Sequence, residues 1–281
     1  MNKSSATGLQ VWLLALLVPA VPALWSLQEK ARAGGGRSML QHLEVRPPRL
    51  MPRPPHVVFL IGEDEYQTAE TLPKFAADEL EPKGLRCVFV HADPKKPNEF
   101  PGIEKLREAD LLVLSVRRRI PPDDQLAVIR HYLAAGKPLV GIRTASHAFA
   151  LRDQPGGWPE FDRDVLGGDY QGHHGVGQES IITSVEARRD HPILTGVGRE
   201  FRSKASLYKN RKLASTATPL LVGRLENHAG EPEFVAWTNR HQGGRIFYTS
   251  LGSVDDFAEP NFRRLLLNAI FWALDREIPA R

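Results

Sequence analysis

Cysteine is nearly absent from this chain: Cys87 is the only one in 281 residues. A single cysteine excludes an intrachain disulfide and any cysteine-built metal centre, and its setting in the apolar stretch L-R-C-V-F-V-H marks a buried thiol. Stripes of one charge are also lacking. The formal charge is +4, but Lys and Arg are dispersed among acidic residues instead of being gathered with aromatics, which argues against nucleic acid as a partner. Neither H-x-x-x-H nor H-E-x-x-H occurs, so no local motif fixes a metal geometry. A bilayer-length apolar run is missing too: Val11–Trp25 spans only 15 residues and contains Pro19 and Pro22.

What remains is ample for a core, with 42% hydrophobic residues. Residues 1–33 read as a signal peptide or N-terminal anchor. Lys3 supplies a positive start, and Val21-Pro22-Ala23 or Ala31-Arg32-Ala33 a small-residue cleavage pattern. The expectation is export to the periplasm or the extracellular space, with membrane contact only through an uncleaved anchor. Residues 34–55 carry three consecutive glycines and five prolines between Pro47 and Pro55, the composition of an extended linker. Residues 56–281 form the domain.

Within it, apolar runs alternate with helical patterns. H-V-V-F-L-I at 56–61, Leu85–His91, Leu111–Val116 and the run around Leu139–Ile142 read as buried strands. Thr68–Leu80, Ile103–Ala109 and Gln125–Ala135 read as helices between them. This order predicts a doubly wound, mostly parallel α/β sheet in a three-layer sandwich, as a single domain. Further strands are expected at 178–185, 219–225, 234–239 and 245–250, with a closing helix at Phe262–Leu274; Phe201–Asn210 resists assignment.

The stretch G-K-P-L-V-G-I-R-T-A-S-H-A-F at 136–149 is a strand feeding a helix. In a parallel sheet such a turn lies at the carboxyl edge, where ligands bind. Arg143 and His147 are therefore candidate catalytic residues: a guanidinium clamps an oxyanion, and an imidazole moves protons near neutrality. The long aperiodic stretch 152–176 is expected to cover a site, and its Gly172-His173-His174-Gly175 offers two more imidazoles as partner acid or second ligand. Arg117-Arg118-Arg119, ending the third strand, either touch an anionic or polyhydroxy ligand or pair with the acids after Gly62. Glu63, Glu65, Tyr66, Trp158, Tyr170, Tyr208 and Asp255 are candidate substrate contacts, the aromatics by stacking on a sugar face. A divalent metal such as zinc has His147, His174 and Asp255 as its candidate ligands.

These motifs carry a family likeness. V-V-F-L-I-G, G-K-P-L-V-G-I-R-T-A-S-H-A-F, L-G-G-D-Y-Q-G-H-H-G, D-H-P-I-L, G-R-I-F-Y-T-S-L-G and N-F-R-R-L-L-L-N-A-I-F-W-A resemble the trehalose-utilisation ThuA-like family of the class I glutamine-amidotransferase-like superfamily. The resemblance implies a flavodoxin-like fold, with Gly141–Arg143 where amidotransferases carry a nucleophile elbow, and a role in carbohydrate metabolism. Arg143 stands in place of the cysteine, and a guanidinium cannot attack a carbonyl. Ser253 stands where relatives often have histidine. The expected function is a hydrolase or lyase acting on a carbohydrate or sugar derivative through an Arg/His site. The alternative is a non-catalytic carbohydrate-binding or interaction domain on the same scaffold.

Overall fold

A computed structural model of the chain describes residues 53–226 and 230–280. The 1–33 segment and most of the 34–55 linker lie outside the described residues, as do Asn227 and His228. The three linker residues that are described lie against the domain. Arg53 donates both terminal nitrogens to Asp110 at 2.8 and 2.7 Å, and the Pro55 carbonyl accepts from the Arg86 backbone N–H.

The apolar run at the start of the domain forms β1 (His56–Gly62), buried at every position because it is covered on both faces. It is followed by α1 (Thr68–Phe75), β2 (Arg86–His91), a 3-10 segment (Ile103–Glu108), β3 (Leu111–Val116), α2 (Asp123–Ala134) and β4 (Leu139–Ile142). After the long loop come β5 (Ser180–Ser184), β6 (Glu200–Ser203), β7 (Thr218–Leu225), β8 (Glu233–His241), β9 (Gly244–Thr249) and α3 (Pro260–Ala273). The unassigned stretch thus opens with β6.

The nine strands of the described residues make one sheet, in the order β2-β1-β3-β4-β9-β8-β7-β5-β6. One core packs α1 and α3 against one face through Leu72, Phe75, Leu265 and Ile270. The other packs α2 and the 3-10 segment against the opposite face through Ile129, Leu133, Ile103 and Leu106. Layers on both faces are as the alternating pattern predicts. The expectation of a mostly parallel sheet holds for half of it: the pairs from β2 to β9 are parallel, and those from β9 to β6 antiparallel. Connection length is the reason. β8 and β9 are joined by Gln242-Gly243, both at positive φ (50° and 84°), a tight hairpin that cannot span a parallel crossover.

The parallel half positions the site. Strand order reverses about β1, and the carboxyl ends of β1, β3, β4 and β9 deliver Glu63, Arg117, Arg143 and Ser250 to one edge.

Candidate functional site

Arg143 begins a 3-10 turn (Arg143–His147) straight off β4, with φ 45°. A left-handed non-glycine residue costs about 1–2 kcal/mol, so its surroundings must hold it. The Tyr248 hydroxyl donates to the Arg143 carbonyl at 2.7 Å. The β4–β9 register sets Ile142 beside Thr249, which brings the Ser250 carbonyl to the guanidinium at 2.7 Å. Tyr66 and Tyr208 flank the charge, with ring centroids 4.2 and 4.5 Å from Cζ, and Ser206 Oγ accepts from it at 2.9 Å. Burial works against the charge, but Tyr208, Tyr66 and the more distant Asp256 outweigh it and raise the pKa above the ordinary arginine value.

Arg143 is only 1% exposed. The expectation that it clamps substrate in a wet cavity is therefore corrected: it is a pin holding the elbow, with Tyr66 and Tyr208 as its walls. Small residues let the turn close. A Cβ on Gly252 (φ 117°) would sit 2.5 Å from Ile142 Cγ2. Gly252→Ala is expected to cost about 1–3 kcal/mol, read by thermal melting; an unchanged midpoint would contradict this packing.

His147, four residues on, does reach the solvent. It lines a cleft of about 530 Å³ together with Arg118, Ser146, Arg152, Asp162 and Tyr170. Its ring stacks on Tyr170 at 4.6 Å and lies 6.0 Å from the Tyr208 ring, against which Arg143 also packs. Ser146 Oγ donates to the Arg143 carbonyl at 3.4 Å and lies 3.1 Å from His147 Nδ1. A hydroxyl donating in that direction accepts from Nδ1–H, the tautomer in which Nε2 is the basic nitrogen. Burial, then the charges of Arg118, Arg117, Arg143 and Arg152, push the imidazole down to about 3, so it is neutral at physiological pH.

The arginine triplet divides. Arg117 pairs with Glu65 at 2.5 Å and Asp64 at 3.8 Å, and Arg119 with Asp64 at 3.5 Å. The middle residue, Arg118, has φ 48° and lines the cleft. Asp162, from the aperiodic loop, is buried, and its Oδ2 accepts from the Tyr170 N–H at 2.8 Å. Burial pushes its carboxyl up to about 7, with Asp169 adding to the effect. Asp162 thus positions the ring that stacks on His147. No periodicity or motif marks Asp162 or Arg152 in the sequence.

Other candidates go elsewhere. Exposed His173 has its Nδ1 2.6 Å from the His174 carbonyl, and His174 Nε2 lies 2.9 Å from Glu233, a carboxylate shared with Arg211. The partner-acid role expected of these two imidazoles is therefore corrected: they are spent on loop contacts. Glu63 accepts from the N–H groups of Glu65, Tyr66 and Thr68, capping the loop before α1. Glu65 is held by Arg117. Trp158 packs edge-on to Phe161 under Arg130, which pins the loop. Asp255 is exposed and 3.8 Å from Lys204. Among the described residues no three His, Cys, Asp or Glu side chains gather to hold a metal, so His147, His174 and Asp255 do not fit a zinc site. Of the predicted contacts, His147 and Tyr170 share the cleft. A hollow of about 570 Å³ beside α2 is roomier, but its Lys137 ammonium is spent on the Arg107 and Ala109 carbonyls.

Solved structures with this fold include a ThuA-like protein from Bacteroides uniformis, 17% identical with TM-score 0.61, the match covering 79% of this chain and 91% of that one. A ThuA-like protein from Parabacteroides merdae is 17% identical with TM-score 0.59, covering 81% and 92%. A cold-adapted β-galactosidase from Rahnella sp. R3 is 16% identical with TM-score 0.51, covering 79% of this chain and 31% of the enzyme. No match was found among curated proteins. The family model for ThuA, trehalose utilisation, matches residues 59–273, from β1 to the end of α3, and the chain belongs to that family.

Proposed function

We propose that this protein is exported and acts on a carbohydrate derivative in the His147 cleft, as a hydrolase or lyase in which His147 takes up a proton. One observation carries this reading: a neutral imidazole faces the cleft with Nδ1 fixed by Ser146, while Nε2 has no hydrogen-bond partner among the described residues. Neutral at physiological pH, that imidazole is free to accept a substrate proton, as a weak base whose affinity a bound anion would raise. Glu160, Asp169 and Gln171 also line the cleft, with acceptors suited to sugar hydroxyls. The family's link to trehalose utilisation supports a sugar as ligand.

Thioester chemistry of the amidotransferase kind has no support in these residues. The elbow position is a sealed guanidinium, and the Cys87 thiol, on β2, is pushed up to about 12 by burial and then by Glu81. The arginine in place of a nucleophile at the elbow position also favours a second reading, a carbohydrate-binding domain that uses the same cleft without turnover.

Assay of the full chain on a panel of neutral, acidic and oxidised sugars separates the two. Turnover that falls roughly 100-fold in His147→Ala, with melting retained, is the expected result. Equal turnover in the variant would remove His147 from the mechanism, and saturable binding without turnover would select the binding domain. Export predicts a mature N-terminus within or after residues 21–33; mass spectrometry finding Met1 on the exported protein would select the anchor instead.

A further inference from the structure

We propose that the cleft selects anionic sugars, seating a carboxylate or phosphate group on Arg118 and Arg152; this rests on the carbohydrate reading above and names its substrate class. The arginine triplet leaves one member over. Arg117 and Arg119 are ion-paired with Asp64 and Glu65, whereas Arg118 and Arg152 form no ion pair among the described residues. The Nε of Arg118, like that of Arg119, is buried without a hydrogen-bond partner, but Arg118 has no carboxylate on its other nitrogens either. A buried unpaired donor costs about 1–3 kcal/mol, and the left-handed backbone at Arg118 adds strain.

The backbone carries that strain in a fixed place. The N–H groups of Arg118 and Arg119 donate to the carbonyls of His147 and Ala148 at 3.0 and 2.7 Å, locking the end of β3 to the elbow turn. Arg152, exposed, lines the same cleft, so two like charges stand around one imidazole. The charge of Arg152 is felt at Arg118: burial, then Arg152, lowers the affinity of Arg118 for its own proton. An oxyanion between the two guanidiniums would satisfy the donors and cancel the repulsion.

The remaining charged groups lining the cleft are one cation and three carboxyls. Arg163 is spent on Asp164, and Glu160, Asp162 and Asp169 supply acceptors. A ligand with a single anion and several hydroxyls matches this lining; a dianion does not. Seating the anion also prepares the base. Part of what holds His147 below its ordinary range is the field of Arg118 and Arg152, and a bound oxyanion offsets that part, raising the affinity of Nε2 for a substrate proton.

Calorimetry on the full chain with glucuronate, glucose 6-phosphate and glucose tests this, the first two distinguishing carboxylate from phosphate. At least one anion is expected to bind roughly 10-fold or more tightly than glucose, from the strength of charge-assisted hydrogen bonds. Arg152→Ala, at an exposed site, should remove most of that preference without shifting the melting point. Arg118→Gln should do the same. Anions no tighter than glucose, or a preference that survives both variants, would overturn the proposal while leaving the carbohydrate reading in place. No binding of any of the three sugars would remove both.

Discussion

Arg143→Ala is expected to lower the melting temperature by roughly 8–16 °C, from a loss of about 4 kcal/mol at 2–4 °C per kcal/mol for a domain of this size. The loss has three sources. Two desolvated cation–π contacts, with Tyr66 and Tyr208, contribute up to about 2 kcal/mol each. The Ser250 carbonyl, which accepts a charged donor at 2.7 Å, is left unpaired at about 1–3 kcal/mol. The vacated volume adds a cavity term. Only part of this sum is realised, because the guanidinium gives up water to enter the site. Arg143→Lys should recover less than half: an ammonium keeps the charge but not the flat fork that lies between two rings. A melting point within about 2 °C of wild type in Arg143→Ala would show that the elbow does not depend on this pin.

The second large effect is hidden in the wild type by two opposed titrations. His147 unfolds to an imidazole near 6.5 and folds to one near 3, so the unfolded chain takes up a proton first and stability is lost as pH falls from about 6.5 toward 3. Asp162 runs the other way. Its carboxyl rises from 3.8 to about 7 on folding, so stability is lost as pH climbs from about 4 to about 7. Between pH 4 and 6.5 the two slopes oppose and nearly cancel. Asp162→Asn should unmask the histidine limb, losing on the order of 3 kcal/mol between pH 6.5 and 4, at 1.36 kcal/mol per unit. His147→Gln should show the mirror image, losing a similar amount from pH 4 to 7. Chemical denaturation across this range reads both slopes. Profiles parallel to wild type in the two variants would contradict the buried, oppositely shifted pair.

Much of the scaffold was legible because its signal is local. A short apolar run such as V-V-F-L-I, bounded by Pro and Gly, reads as a strand covered on both faces, and the helical spacing of Leu126, Ile129 and Leu133 settles which face of α2 is buried. The antiparallel half was legible in principle, since Gln242-Gly243 is too short for a crossover. The site was legible in position and not in direction. G-I-R-T-A-S-H places Arg143 and His147 on one turn, yet which side chain turns inward is decided by Tyr66, Ser206 and Ser250, all distant in the chain. In the same way, neighbouring residues of an arginine triplet must diverge, but only the positive φ of Arg118 selects the middle one for the cleft. Asp162 has no local signature; its burial comes from packing near Gly168 and Trp237, contributed by other elements.

The central claim is that a neutral His147, and not the elbow guanidinium, meets the ligand. Nuclear magnetic resonance of the histidine rings, titrated with pH and then with an anionic sugar, tests it most directly. His147 should stay neutral from pH 8 to 5, carry its proton on Nδ1, and shift saturably as sugar is added. An imidazole that titrates near 6.5, or one that stays unmoved while the sugar binds, would contradict the claim.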